Sequence, residues 1–175
     1  MTGEEFAKIA MSLRTYYPQA NLLPNAQAME LWYQELKDIP YSVAELAVRQ
    51  WVAVNKWCPT IADIRAAAYE IGEDQVSDWG EAWQTVLQAV RRYGSYNKRE
   101  ALESLDSLTR RVVERIGFDT ICMSEEIAVE RANFRMIYEK LAEKEKLKAR
   151  MPANLVKRLD ELNKKLIGGD KHDVY

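Results

Sequence analysis

The feature that most constrains the fold of this chain is a break between two helical patterns at residues 57–60. Pro59 lacks the backbone N–H that a helix interior needs, and its ring disfavours a helical conformation at the preceding residue. Thr60 and Asp63 have the spacing of a capping box, in which each side chain accepts a hydrogen bond from the other residue's backbone N–H. We therefore predict that one helix ends near Trp57 and that another begins at Thr60. Such a corner restricts the angle between the two helices.

Other capping signals precede segments in which apolar residues recur at helical spacing. Thr2, Asn25 and Ser42 are residue types that cap helix N-termini, and a glutamate follows Thr2 and Ser42 at the capping-box spacing. The agreement of these signals with the apolar periodicity predicts four helices within residues 1–72. The residues predicted to face inward are Phe6, Ile9, Leu13 and Tyr16, then Met29, Trp32, Tyr33 and Leu36, then Val43, Leu46, Ala47, Trp51 and Val54, and finally Ile61, Ile64, Ala68 and Ile71.

The segment around residues 73–77 is polar and acidic, and it is the best candidate for a boundary between two helical modules. Beyond it, Asp78 is a further favourable N-cap, and Ser124 begins the longest predicted helix, which extends to about Arg150. Residues 118–123 are expected to be a short connector. The inward-facing residues predicted in this part are Trp79, Trp83, Val86, Leu87 and Val90, then Ala101, Leu102 and Leu105, then Leu108, Val112, Val113 and Ile116, and in the long helix Ile127, Phe134, Tyr138 and Leu141.

These patterns predict an all-α fold, with two small helical bundles joined by a short linker, a long helix and a C-terminal amphipathic helix. The predicted modules are residues 1–72, residues 77–150, and residues 151–175. The last of these comprises the amphipathic helix and a polar tail, beginning near Gly168, that we expect to be disordered.

The composition argues against several classes of function. The formal net charge of the 175 residues is -2, so overall charge does not attract nucleic acid or an anionic membrane. No apolar run reaches the roughly 20 residues that span a bilayer. The acidic N-terminus is unlike a secretory signal, and we therefore expect a cytoplasmic protein without a membrane partner.

The residues that usually carry chemistry are scarce. His172 is the only histidine and lies in the tail, which argues against a catalytic triad or a standard zinc site. No glycine-rich phosphate-binding motif is present. Cys58 and Cys122 are far apart in sequence, and two reduced thiols fit this compartment better than a disulfide. We therefore expect no catalytic residues, no cofactor, no metal and no enzyme activity.

The last predicted helix offers the clearest candidate for a binding surface. Its four leucines recur at spacings of four, three and four residues and form one narrow seam, comprising Leu155, Leu159, Leu162 and Leu166. A helix of about 15 residues is marginal alone in water. The seam must therefore pack against this protein's own core, a second copy or a groove on a partner, and its position after a charged helix and Pro152 favours a partner.

Aromatic and basic residues give two further candidates. Trp57 is expected to be exposed and to join the partner-binding surface, because a corner leaves one ring edge uncovered. The aromatic residues that we expect in the cores are Trp32, Tyr33, Trp51, Trp79 and Trp83. A local basic patch beside Tyr93 and Tyr96 would suit nucleic acid, and its residues would be Arg91, Arg92, Arg110, Arg111 and Arg115. The sequence favours an ordinary solvated face instead, since residues 73–123 hold seven Lys and Arg against nine Asp and Glu.

A series of aromatic and proline-containing motifs extends over residues 1–70. It comprises Phe6 and the helix to Tyr16-Tyr17-Pro18, Trp32-Tyr33-Gln34-Glu35-Leu36 leading to Ile39-Pro40-Tyr41, Trp51, Lys56-Trp57, and Pro59-Thr60-Ile61-Ala62-Asp63-Ile64. In these residues the chain resembles the phage replicative helicase loader/inhibitor family. The following part is similar to segments that come after such a module in phage and prophage replication proteins, through Trp83, Val86, Ala89-Val90, Tyr93-Gly94, Val112-Val113, Ile116-Gly117-Phe118, Arg131-Ala132, Phe134 and Tyr138.

The resemblance implies an all-helical accessory protein that binds the host's hexameric replicative helicase. Such a protein restrains the helicase's ATPase and unwinding until a phage initiator protein places the helicase at an origin. The family has no catalytic residues to carry over. Two alternatives stay open: a DNA-binding replication or regulatory protein that uses the five arginines, and a structural protein that self-associates, for example as a homodimer, through the last helix.

Overall fold

The structure is a computed structural model that describes residues 1–72 and 77–168. Within those residues it contains ten α-helices, one short 3-10 helix and no strand, which confirms the predicted all-α class. The predicted disordered tail beyond Gly168, with His172, and most of the predicted linker lie outside the described residues. The chain divides into two compact units, each with its own hydrophobic core. The first unit is Met1–Gln75 with Lys148–Tyr175, and the second unit is Val76–Leu147.

The helices follow one another with short connections. In chain order they are α1 (Gly3–Tyr16), a 3-10 helix (Pro18–Ala20), α2 (Ala26–Leu36), α3 (Tyr41–Val54), α4 (Ile61–Ile71), α5 (Trp79–Tyr93), α6 (Lys98–Glu103), α7 (Ser107–Ile116), α8 (Phe118–Met123), α9 (Ile127–Ala149) and α10 (Ala153–Gly168). Helices α1 to α4 and α10 belong to the first unit, and α5 to α8 with most of α9 belong to the second.

The predicted corner at Pro59 is present. Helix α3 ends at Val54 and α4 begins at Ile61, with Thr60 as its N-cap. The Thr60 hydroxyl oxygen accepts a hydrogen bond from the Asp63 N–H at 3.3 Å, and an Asp63 carboxylate oxygen accepts one from the Thr60 N–H at 2.8 Å. This reciprocal pair satisfies two backbone N–H groups at the start of α4 that have no partner within the helix.

The other capping predictions for the first unit had mixed outcomes. Thr2 forms a capping box at the start of α1, and Asn25 caps α2, as predicted. The prediction for Ser42 was wrong: α3 begins at Tyr41, Pro40 is the N-cap residue, and no side chain caps the helix. A proline at a helix start has a φ angle already suited to the first turn, so the helix begins before Ser42 can cap it.

Most of the residues predicted to face inward in the first unit are buried or half-buried, but three are not. Tyr16, Leu46 and Val54 are exposed over 52%, 51% and 77% of their surface. Tyr16 and Val54 are the last residues of their helices, and Leu46 lies about 100° around α3 from its buried neighbour Ala47. The buried core consists of Phe6, Ile9, Ala10, Leu13, Leu23, Leu36, Ile39, Ala44, Ala47, Val48, Ile64 and Ala68.

The second unit differs from its prediction before α9. Residues 118–123 are a short helix rather than a connector, because Phe118 and Ile121 lie one turn apart and are both buried. Helix α9 begins at Ile127 instead of Ser124, and Ile127 is exposed. The buried core consists of Ala82, Trp83, Val86, Ala89, Ala101, Leu105, Leu108, Val112, Val113, Phe118, Ile121, Phe134, Tyr138 and Leu141.

Candidate partner-binding surface

The predicted leucine seam lies on α10. Leu155 and Leu159, on its first turns, are exposed over 42% and 40% of their surface, whereas Leu162 and Leu166 are exposed over 54% and 75%. The seam is therefore partly covered near the start of the helix and open towards its end. Its role in binding stays a prediction.

The start of α10 is anchored through Arg65, a residue of α4 that is only 7% exposed. Its Nε donates to the carbonyl oxygen of Arg150, and its Nη2 donates to that of Met151 at 2.8 Å. On the α2 side, Nη1 donates to the carbonyl oxygen of Glu35 at 2.6 Å. Both terminal nitrogens also donate to Asp38, at 2.7 and 2.9 Å. A guanidinium group has five N–H donors, and these five bonds give each of them an acceptor.

Asp38 extends this arrangement to α10 itself. The carboxylate oxygen that accepts from Arg65 Nη2 also accepts from the backbone N–H of Ala153, the first residue of α10, at 3.1 Å. Burial opposes the charge of Asp38, but the hydrogen bonds from Arg65 and Ala153 and the positive charge of Arg65 outweigh it. Together they hold the pKa of Asp38 below its ordinary value.

A second arginine binds the α9–α10 turn back to α4. Arg150 Nη2 donates to a carboxylate oxygen of Glu70 at 2.9 Å, and its guanidinium lies 5.5 Å from the centre of the Tyr69 ring. Arg65, Tyr69 and Glu70 occupy neighbouring positions on one side of α4, because residues four apart in a helix are adjacent on its surface. One side of α4 therefore holds the turn that leads into α10.

Sequence reasoning missed Arg65. The signal that could have revealed it is its position inside the apolar stripe of α4, directly after Ile64 and three residues before Ala68, both of which are buried. A charged side chain on an inward-facing position must find partners, since an unpaired buried charge is too costly. The identity of those partners is not visible in the local sequence.

Trp57 stands on the loop between α3 and α4 and is exposed over 81% of its surface. The backbone of this loop is held in place, because the indole N–H of Trp51 donates to the carbonyl oxygen of Trp57 at 2.8 Å. The Tyr17 hydroxyl also donates to the carbonyl oxygen of Asn55 at 3.2 Å. The ring is thus presented by a structured backbone, which lowers the entropic cost of binding. Of the other tryptophans, Trp83 is buried, and those that are half-buried are Trp32, Trp51 and Trp79.

The five arginines proposed for nucleic acid all belong to the second unit. Arg110 pairs with Glu114 at 3.0 Å, and Arg92 lies over the ring of the neighbouring tyrosine. Arg111 pairs with Glu145 at 2.5 Å. The two carboxylates offset part of the positive charge that binding to phosphates would use. The other two arginines, which are exposed, are Arg91 and Arg115. A nucleic-acid role for this set stays a prediction.

The described part of the chain contains no group of three or more His, Cys, Asp or Glu residues arranged to hold a metal ion. In the same ranges, no helix is both long and apolar enough to cross a membrane. Cys58 and Cys122 are free and half-buried, and burial raises the pKa of each thiol. A raised pKa leaves less of the reactive thiolate at neutral pH.

The architecture defines this chain as an all-α protein with two helical units. Residues 1–65 match a family model that describes the N-terminal domain of a phage helicase loader/inhibitor protein. The match covers fewer than half of the 175 residues and lies within the first unit. It supports the resemblance of this segment to the phage replicative helicase loader/inhibitor family. No curated protein matches the chain, and no solved structure matches it.

Proposed function

We propose that this protein is a phage or prophage DNA-replication accessory protein that binds the host's hexameric replicative helicase as a loader, an inhibitor or both. The observation that carries the proposal is the match of residues 1–65 to the N-terminal domain of a phage helicase loader/inhibitor. The protein acts through protein–protein contacts in the cytoplasm and catalyses no reaction itself. A phage initiator protein is a second proposed partner.

The proposed contact surface consists of the leucine seam of α10 and the ring of Trp57. Each of the four leucines has at least 40% of its surface exposed, and Trp57 has 81%. Burial of apolar surface contributes about 25 cal/mol per Å² removed from water, and buried aromatic anchors often dominate interface energies. An apolar groove on the helicase is the kind of surface that complements an amphipathic helix.

Restraint of the helicase requires a preference for one of its states. A ligand shifts a conformational equilibrium only by the difference between its affinities for the two states. The protein therefore inhibits ATP hydrolysis if it binds the idle helicase more tightly than the unwinding one. Loading follows when an initiator removes the protein at the origin and the equilibrium returns.

The test combines co-elution with the purified host replicative helicase and measurement of the helicase's ATPase rate. We expect a complex and an altered rate. Leu162→Asp places a charge in the seam and should weaken the complex by about tenfold or more, since buried unpaired charges at interfaces are strongly unfavourable. Leu159→Asp should act in the same way. The matched control is Leu147→Asp on α9, because Leu147 and Leu162 are both 54% exposed.

The outcomes separate the surface from the function. If both seam variants bind as tightly as the unmodified protein, the seam is not the interface. If the unmodified protein neither co-elutes with the helicase nor changes its ATPase rate, the proposed function is wrong.

A further inference from the structure

The α9–α10 turn meets a charge of suitable sign at each of its ends. Arg65 donates to the carbonyl oxygens of Arg150 and Met151, which follow the C-terminal end of α9. Asp38 accepts from the N–H of Ala153 at the N-terminal end of α10. Helix C-terminal ends carry a partial negative charge and N-terminal ends a partial positive charge, and both leave backbone groups unpaired. The ion pair therefore complements both helix ends at once.

Apolar burial contributes little to holding α10. No side chain among residues 153–166 is buried, and only Val156 and Asp160 in that range are half-buried. The ion pair between Lys148 and Asp160 is about half exposed on both sides, and such pairs contribute little to stability. Most helices in proteins are stabilised by packing of an apolar face. Helix α10 instead depends on polar contacts at its start.

We infer that Arg65 and Asp38 are positioning residues that anchor the first turn of α10 to α2 and α4, and so hold the leucine seam ready for its partner. The part that concerns the helicase rests on the proposed function. The anchoring itself rests on the contacts within the first unit. The segment that matches the family model ends at Arg65, and the carbonyls of residues 150 and 151 that Arg65 binds lie outside that segment. The matched module thus contains a receptor for this chain's own C-terminal segment.

Amide hydrogen exchange tests the anchoring without any partner. In Arg65→Lys, a lysine supplies three donors from a single atom and cannot reproduce the planar fork. In Asp38→Asn, the ion pair is lost while the side chain keeps its size. We expect the amides of α10 to exchange about tenfold or more faster in both variants, because charge-assisted hydrogen bonds are the stronger ones and local opening follows their loss. The amides of α1 should keep their exchange rates.

The matched control is Arg49→Lys, in the same unit. Arg49 is 69% exposed at its side chain and lies 4.0 Å from Glu45, so its replacement should leave α10 unchanged. If Arg65→Lys prevents the first unit from folding, Asp38→Asn carries the test, since the Asp38 side chain is already 28% exposed. Unchanged exchange in α10 for Asp38→Asn, or for both variants where both fold, overturns the inference.

A coupling experiment distinguishes positioning from general stabilisation. If Arg65 acts through α10, Arg65→Lys weakens helicase binding in the unmodified background but adds nothing to the loss caused by Leu162→Asp. Additive losses would show that Arg65 acts independently of the seam and would overturn the positioning role. If the unmodified protein does not bind the helicase, the proposed function fails, and the exchange experiment still decides whether Arg65 and Asp38 anchor α10.

Discussion

Arg65 and Asp38 lie 27 residues apart in the sequence and form an ion pair through two hydrogen bonds of 2.7 and 2.9 Å. The Arg65 side chain is 8% exposed and that of Asp38 is 28% exposed. A pair this buried is stabilising only when its remaining donors and acceptors also have partners. Three backbone carbonyls complete the coordination of Arg65, and the N–H of Ala153 adds to that of Asp38.

The first prediction concerns acid stability. The pKa of Asp38 in the folded protein lies below its ordinary value of 3.8, so the unfolded chain binds the proton more tightly. The stabilisation from Asp38 is therefore complete above that value and is lost as the pH falls through the folded-state pKa. We expect the free energy of unfolding of the first unit to fall in acid, and Asp38→Asn to weaken that dependence.

Urea titrations of the NMR signals of the first unit, at pH values from about 6 to about 2.5, measure this dependence. Asp160→Asn is the control, because Asp160 belongs to a half-exposed ion pair with Lys148. An unchanged pH dependence in Asp38→Asn would contradict the role given to Asp38.

The second prediction concerns the corner before α4. Thr60→Ala removes the hydroxyl oxygen that accepts from the Asp63 N–H. Loss of such a cap costs about 0.5–2 kcal/mol of stability, and urea unfolding of the first unit should show a loss of that size. Thr15→Ala is the comparison, since Thr15 is an exposed residue near the end of α1, and its replacement should change stability by less than about 0.5 kcal/mol. Equal effects would mean that the cap does not stabilise the corner.

The third prediction concerns the second unit at alkaline pH. Burial is the main cause that raises the pKa of Tyr138 from 10.0 to about 12, and its hydroxyl donates to the carbonyl oxygen of Ser77 at 3.0 Å. The folded state therefore favours the neutral phenol. Its contribution is complete below 10.0 and is lost as the pH rises towards 12. Tyr138→Phe should remove this loss and cost about 1 kcal/mol at neutral pH.

The measurement is urea unfolding followed through signals of the second unit between about pH 9 and about pH 12. Tyr96→Phe provides the control, because Tyr96 is 98% exposed and its replacement should leave the pH dependence as it is. If Tyr138→Phe still loses stability over the same range, another group causes the alkaline transition.

The fourth prediction concerns Trp57. Its ring is 81% exposed, so Trp57→Ala should change the free energy of unfolding by less than about 0.5 kcal/mol. If the ring is an anchor for the helicase, the same substitution should weaken binding by about tenfold or more. Met11→Ala is the control, because Met11 is 71% exposed in the same unit. Equal helicase affinity for the two variants would remove Trp57 from the proposed contact surface.

Much of the fold could be predicted from the sequence, because the signals are local. The capping boxes at Thr2 and Thr60 and the cap at Asn25 depend on residues within one turn. The failure at Ser42 has the same origin: a proline two residues earlier already starts the helix. Side-chain burial was harder to predict near helix ends, as Val54 shows, because the neighbouring elements decide how far a buried stripe extends.

The leucine seam could be predicted from its spacing, but its surroundings could not. Spacing places the leucines on one side of α10, whereas their exposure depends on what packs against that side. The structure shows that coverage decreases from Leu155 to Leu166. The sequence left packing within the chain and binding to a partner as open alternatives. In the structure the helix is anchored at its start and exposed along its seam.

The sequence by itself determined the helices, their caps and the corner at Pro59, since these depend on contacts between residues at most four positions apart. Only the tertiary structure decided that Arg65 bonds to Asp38 and to the carbonyl of Met151, which lie 27 and 86 residues away. The need of a buried guanidinium for acceptors is local chemistry. Which acceptors it finds depends on how the chain brings distant segments together, and no short pattern encodes that choice.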